Sequence, residues 1–334
     1  MIISRTPFRI SFFGGGTDYA PWFREHGGQV IGTTIDKYCY LSVRPLPPFF
    51  EHRNRIVWSK IEMVNSIEEI EHPTVRAVLS QQGFAEGLEI THQGDLPARS
   101  GLGSSSSFTT GLLNVLMALK GRSISKRDLA NEAIRIEQEV MKEAVGSQDQ
   151  VWAAYGGLNR IQFNTDGTYM VSPMIVSREK KRRLADSLML FFTGISRSGI
   201  EIAARQIDRL EKHEIDMHAV ADLVDEAARL LEGSDDPTEE LGRLMHEAWM
   251  MKRTMAAGVT TPHVDDIYQA GLDAGAIGGK LLGAGGGGFV LFVVPPERQA
   301  GVKERLSELV HVSFDFENEG SRIVVYDADG YSGA

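Results

Sequence analysis

The segment Leu96-Pro97-Ala98-Arg99-Ser100-Gly101-Leu102-Gly103-Ser104-Ser105-Ser106-Ser107 constrains this chain most, because it leads from a strand-like stretch into a helical one through two glycines and four serines. Glycine reaches backbone angles closed to other residues, so such a turn can aim several amide N–H groups at one anion. A helix beginning near Ser104 adds the positive end of its dipole. The segment reads as a phosphate cradle built from Gly101, Leu102, Gly103, Ser104, Ser105 and Ser106, and an ordinary serine N-cap is the alternative. No Gly-Lys-Ser/Thr follows the glycines, so the loop is not a P-loop, nor does it carry the dinucleotide-binding fingerprint.

The rest of the chain supplies both kinds of element. Apolar residues alternate from Ile3 to Phe12 and run into Gly14-Gly15-Gly16, a strand entering a glycine turn. Gln29 to Val43 and Arg55 to Val64 read as further strands, separated by the proline-rich Pro45 to Pro48. Phe108, Leu112, Val115, Leu116 and Leu119 recur at helical spacing, and a second helical pattern covers Ser125 to Glu143. After strand-like pieces at Gly157 to Phe163 and Ser187 to Phe192, the pattern is helical from Ser198 to Gly258 with a break at Gly233 to Pro237. The basic stretch Ser177 to Arg183 between those strands is taken as the domain connection. A short helix follows Pro262, then Gly283 to Gly288, an apolar strand at Phe289 to Val294, a helix near Glu297 to Leu309 and two last strands. The class is α+β, divided as 1–180 and 181–334.

Charge narrows the partners. Lys and Arg number 35 against 45 acidic residues, a net charge of -10, which disfavours nucleic acid and anionic membrane surfaces. The single cysteine, Cys39, has no intrachain partner for a disulfide or a thiolate metal site. No apolar run of membrane-spanning length occurs, and the N-terminus lacks a signal-peptide layout, so a cytoplasmic protein is expected.

Three segments together resemble the GHMP kinases. Pro97 and Gly101 to Ser105 match that family's Pro-x-x-x-Gly-Leu-Gly-Ser-Ser motif, with Ser106 and Ser107 in place of two alanines. Pro7 to Tyr19 is similar to the N-terminal motif: Arg9, Gly14, Thr17, Asp18 and Tyr19 match the galactokinase version, while Gly15 and Gly16 replace Glu-His. The Gly-Gly-Gly-Thr-Asp form is similar to that of members acting on D-glycero-D-manno-heptose 7-phosphate. Lys280 to Phe289 resembles the C-terminal Lys-x-x-Gly-Ala-Gly-x-Gly-Gly signature.

The resemblance implies a two-domain fold, with an N-terminal α/β domain of ribosomal-S5-like type and a C-terminal ferredoxin-like α+β domain, and implies ATP and Mg2+ as cofactors. Glu137 and Asp149 stand twelve residues apart, the spacing of the metal-binding Glu and basic Asp in galactokinase-like members. It follows that Ser105 and Glu137 would hold the metal, and that Asp149 with Arg9 would act on the attacking hydroxyl. Asp18, Gly15, Gly16, Thr17, Gly285 and Gly286 would border the substrate. For Arg9 the residues themselves speak: a charge on an apolar strand needs a partner. For Glu137 and Asp149 a solvated charge and an N-cap are the competing readings.

The implied reaction is phosphorylation of the anomeric hydroxyl of D-glycero-D-manno-heptose 7-phosphate, with Arg99, Lys37 and Arg197 as candidate cations for the distal phosphate. Another sugar-1-kinase, of fucose, galactose or octose type, is the alternative. A GHMP-fold decarboxylase or a catalytically silent sugar sensor is the alternative of another class. The resemblance is compatible with a homodimer.

Overall fold

A computed structural model describes residues 1–84, 87–196, 199–233 and 236–327. Strand β1 (Ile2–Phe13), helix α1 (Ala20–His26) and the long strand β2 (Gly28–Pro45) open the chain. A hairpin of β3 (Asn54–Val57) and β4 (Ile61–Val64), helix α2 (Pro73–Gln81) and strand β5 (Leu88–Gly94) follow. Arg55 to Val64 is therefore not one strand, because Trp58 N–H donates to Lys60 C=O and turns the chain back. Helices α3 (Ser104–Leu119) and α4 (Lys126–Ile134) come next, and α4 passes into a π-helical turn at Arg135–Val140. Helix α5 (Gln148–Tyr155) and strands β6 (Asn159–Phe163) and β7 (Tyr169–Pro173) complete the first half.

Strand β2 is the hub of the first sheet, pairing with β1, β5 and β6. Helices α3 and α5 pack on β1 and β2. Gly111 on α3 allows the closest approach, since a Cβ there would lie 2.7 Å from Thr6 Oγ1. β1 is covered on both faces, so Ser4, Thr6, Arg9 and Ser11 are buried along with the alternating Phe8, Ile10 and Phe12.

The second half comprises α6 (Arg178–Asp186), β8 (Leu188–Phe192), α7 (Ile200–Ile207), a 3₁₀ turn at Leu210–His213, α8 (Glu214–Gly233), α9 (Thr238–Met255) and α10 (Pro262–Asp273). Strands β9 (Gly278–Leu281) and β10 (Phe289–Val293), helix α11 (Gln299–Arg305) and strands β11 (Val310–Val312), β12 (Phe316–Glu317) and β13 (Arg322–Tyr326) end it. Its sheet is antiparallel in the order β11-β8-β10-β9, the fourth-first-third-second order of a ferredoxin-like unit.

One sequence boundary shifts. The basic stretch read as a connection is helix α6, capped where Ser177 Oγ accepts from Lys180 N–H and anchored by the buried Leu184. The C-terminal segment returns to the first sheet, where β12 pairs with β2 and β13 with β1. Helix α8 lies against β1 and β2 as well, so Val224 and Ala227 share one core with Phe8 and Ile31. Among the described residues, no helix is long and apolar enough to cross a membrane.

Candidate active site

Arg9 on β1 and Asp149 on α5 meet beside the loop at Gly101. Arg9 Nε donates to Asp149 Oδ1 at 2.6 Å and Nη2 donates to Oδ2 at 2.7 Å, a bidentate pair. Nη1 donates to Gly101 C=O at 2.6 Å. The partner that a buried strand cation requires is thus present twice over, and the Arg9 side chain is only 6% exposed. Asp149 sits in the first turn of α5 but does not cap it, since its carboxylate is turned to Arg9 and remains 24% exposed.

The cradle lies directly over this pair. Gly101 and Gly103 hold φ of +84° and +73°, left-handed values that a side chain would oppose. Gly103 is the N-cap of α3, and no side chain satisfies the helix's first amides. Those donors and the dipole of a 16-residue helix are what an anion site requires. A Cβ on Gly103 would lie 3.1 Å from Arg9 Cγ and 3.4 Å from Asp149 Cγ, so the anion would sit next to the carboxylate. The second glycine-rich loop closes on the first: a Cβ on Gly283 would lie 2.5 Å from Gly101 Cα, and one on Gly288 would lie 2.3 Å from Ser100 C=O.

Glu137 is buried on the π-helical turn, an irregularity that redirects side chains and recurs at functional sites. Its Oε2 accepts from Ser106 Oγ at 2.9 Å and from Gln150 Nε2. Its Oε1 is buried without a partner. Burial pushes this carboxyl up to about 7 against the lowering effect of Thr109, Ser106 and Gln150. An orphaned carboxylate oxygen beside a hydroxyl fits a hard divalent cation. Ser106 faces inward to Glu137, and the expected Ser105, one residue earlier and about a quarter-turn round the helix, is exposed.

The expected substrate residues divide. Thr17 is buried, its Oγ1 bonded to Gly14 C=O and to the backbone of Gln29, so it fastens the glycine turn to β2 instead of facing a ligand. Gly285 and Gly286 are also buried, with Gly286 N–H donating to Val259 C=O and a Gly285 Cβ meeting Val259 at 2.6 Å. The half-exposed part of that loop is Gly283-Ala284. Asp18 is buried, with Oδ1 accepting from Gly16 N–H at 2.9 Å and Oδ2 from Gln148 N–H at 3.3 Å. Desolvation raises its carboxyl above the usual range. It ties the glycine turn to the segment carrying Asp149, and Gly146 must be glycine because a Cβ would lie 1.8 Å from Asp18 Oδ2. Gly15 and Gly16 do line a pocket.

Of the proposed phosphate cations, Lys37 pairs with Asp36 at 2.8 Å on β2, Arg99 is exposed beside the cradle with φ of +58°, and Arg197 lies outside the described residues. Two lysines were missed. Lys252 in the last turn of α9 donates to Gly283 C=O, and burial with Arg9 nearby pushes it down to about 8. Lys280 is buried, donating to Phe12 C=O at 2.8 Å across the two halves, and its ammonium is held well below the usual lysine range by burial. The rule that exposed Arg9 does not reach Lys252, which is followed directly by Arg253 and is set apart only by its burial in the fold.

Free helix amides at a glycine loop, a guanidinium-held carboxylate and a buried glutamate with an unpartnered oxygen are the parts a small-molecule kinase needs. The chain belongs to the GHMP kinases: the family's N-terminal domain matches residues 66–157 and its C-terminal domain residues 236–312, together just over half of the chain. It is a sugar kinase of that family, with ATP as phosphate donor. A D-glycero-alpha-D-manno-heptose 7-phosphate kinase of Campylobacter jejuni is 26% identical over 96% of this chain and 97% of its own length. A galactokinase of Pyrococcus furiosus is 25% identical over 98% of each chain. The crystal structure of a D-glycero-D-manno-heptose 1-phosphate kinase from Bacteroides thetaiotaomicron superposes with a TM-score of 0.79 at 23% identity, covering 98% of this chain and 100% of that one.

Proposed function

We propose that this kinase transfers the γ-phosphoryl group of ATP to the anomeric hydroxyl of D-glycero-D-manno-heptose 7-phosphate, giving the 1,7-bisphosphate and ADP. The observation that carries the catalytic part is the bidentate Arg9–Asp149 pair directly beneath the α3 amides. The amides of Gly103 to Ser106 would receive the triphosphate. Asp149, pinned by Arg9 on two N–H donors, keeps free lone pairs on its exposed side to orient the sugar hydroxyl and accept its proton. Arg9 sets the carboxylate's direction, and Asp18 sets the segment that delivers it. Glu137 and the Ser106 hydroxyl would hold Mg2+, which supplies charge neutralisation on the phosphates when bound.

The substrate rests on two supports: the near full-length similarity to the Campylobacter enzyme and the glycine turn. A Cβ on Gly15 would meet nothing closer than Gln148 Nε2 at 3.7 Å, so packing does not demand glycine there. An absent side chain at a place with room leaves space for a larger sugar. The test is kcat/KM for heptose 7-phosphate, unphosphorylated heptose, galactose and fucose at fixed ATP and Mg2+, with product mass. Heptose 7-phosphate should lead, and equal or better use of a neutral sugar would remove the substrate assignment.

A further inference from the structure

Beside the glycine turn, Gly15-Gly16 and the segment joining α7 to α8 line a narrow pocket with about 10 Å³ of free space. Lys252 stands on its wall, and the wall also carries Arg209, His213 and Met217. The α7 end of this wall is fixed to both catalytic loops. Tyr19 O–H donates to Gln206 Oε1 at 3.0 Å, and Gln206 Nε2 donates to Ala284 C=O at 2.9 Å. Arg209 N–H then donates to Gln206 C=O, so Arg209 follows one turn beyond a residue held at the site.

Arg209, unlike Lys37, is unpaired, and unlike Arg99 it lines this pocket. Its guanidinium forms no hydrogen bond or ion pair with the described residues. His213 stands beside it: Nδ1–H donates to Asp216 Oδ2 at 2.9 Å, and Nε2, which has no partner among the described residues, donates when the ring is protonated. Asp216 keeps the ring in place. A planar five-donor fork and an imidazole on one wall of the pocket match a tetrahedral dianion. Lys252, whose charge is felt by Arg9, Asp18 and Asp149, marks the pocket's catalytic side.

We infer that Arg209 and His213 form the subsite for the distal phosphate of the acceptor sugar. This rests on the sugar-phosphate reading above and assigns it residues. A substrate whose hydroxyl lies at Asp149 would extend past the side-chain-free Gly15-Gly16 wall and present its phosphate to Arg209 and His213. Discrimination against a sugar lacking that phosphate then comes from leaving these donors unmatched.

The experiment compares wild type with Arg209→Gln, His213→Gln and Arg209→Lys. Each is assayed with heptose 7-phosphate and with unphosphorylated heptose, and with inorganic phosphate as inhibitor. In wild type the phosphorylated sugar should be preferred. The ratio of the two kcat/KM values should fall roughly ten- to a hundredfold in Arg209→Gln, mostly through KM, and partly recover in Arg209→Lys. Inhibition by inorganic phosphate should weaken in parallel. A wild-type preference kept intact in Arg209→Gln and His213→Gln overturns the subsite and leaves the substrate reading standing. No preference in wild type removes that reading, and the subsite with it.

Discussion

Glu137→Gln separates a metal-binding carboxylate from a structural one, because the two roles act in opposite directions on stability. The folded-state value of about 7 lies above the model-compound 4.5, so between these pH values the folded chain holds a proton that the unfolded chain has lost. Stability therefore falls as pH rises through that window, and the full cost is present above pH 7. A gap of two to three pH units corresponds to about 3 kcal/mol. Glutamine can keep the contacts to Ser106 and Gln150 and has no charge to desolvate. In EDTA the variant should match wild type to within about 1 kcal/mol at pH 5 and exceed it by up to about 3 kcal/mol at pH 8. At a few degrees per kcal/mol or less for a chain of this size, that is roughly 5 °C in Tm. Saturating Mg2+ and ATP should close or reverse the gap at pH 8, and the Mg2+ concentration for half-maximal rate should rise in the variant. Thermal melts at both pH values, with and without Mg2+, read all of this. A variant less stable than wild type in EDTA at pH 8, together with an unchanged Mg2+ titration, would refute the reasoning.

Two further outcomes follow from the same geometry. Gly103→Ala places a side chain at φ of +73° and within 3.1 Å of Arg9 Cγ; it should cost about 1–2 kcal/mol in a denaturant titration and lower kcat at least roughly tenfold by moving the Arg9–Asp149 pair. An unaltered kcat would show that the loop tolerates displacement. Lys252, pushed down to about 8, should lose its charge as pH rises through that value, so kcat/KM should decline on the alkaline side and Lys252→Met should lack that limb. Identical pH profiles for the two proteins would remove Lys252 from the site.

Local signals carried much of this architecture. The alternation of β1, the glycines at Gly101 and Gly103 and the apolar spacing of α3 depend on neighbours in the chain, and the structure has them as read. Arg9 could be singled out because a lone charge in an apolar strand demands a partner. What failed depended on contacts distant in sequence. Nothing within Phe316 to Tyr326 says that it pairs with β1 and β2 at the other end of the chain. Helix α6 was hidden by its charges, since only Leu184 of its nine residues is buried. Which serine faces Glu137 turns on helix phase at Gly103, which a run of four serines conceals. Thr17 and Asp18 looked open to a ligand because their partners, Gln29 and Gln148, come from other elements.

The central claim is that phosphoryl transfer occurs at the Arg9–Asp149 pair, and Asp149→Asn tests it while keeping the side chain's shape. The measurement is a rapid-quench single turnover with γ-labelled ATP, Mg2+ and heptose 7-phosphate, with ATP binding followed separately by calorimetry. Wild type should pass one label to sugar for each ATP consumed. The variant should bind ATP comparably and transfer its label at least roughly a hundredfold more slowly. Transfer by a folded Asp149→Asn protein at the wild-type rate would contradict the account.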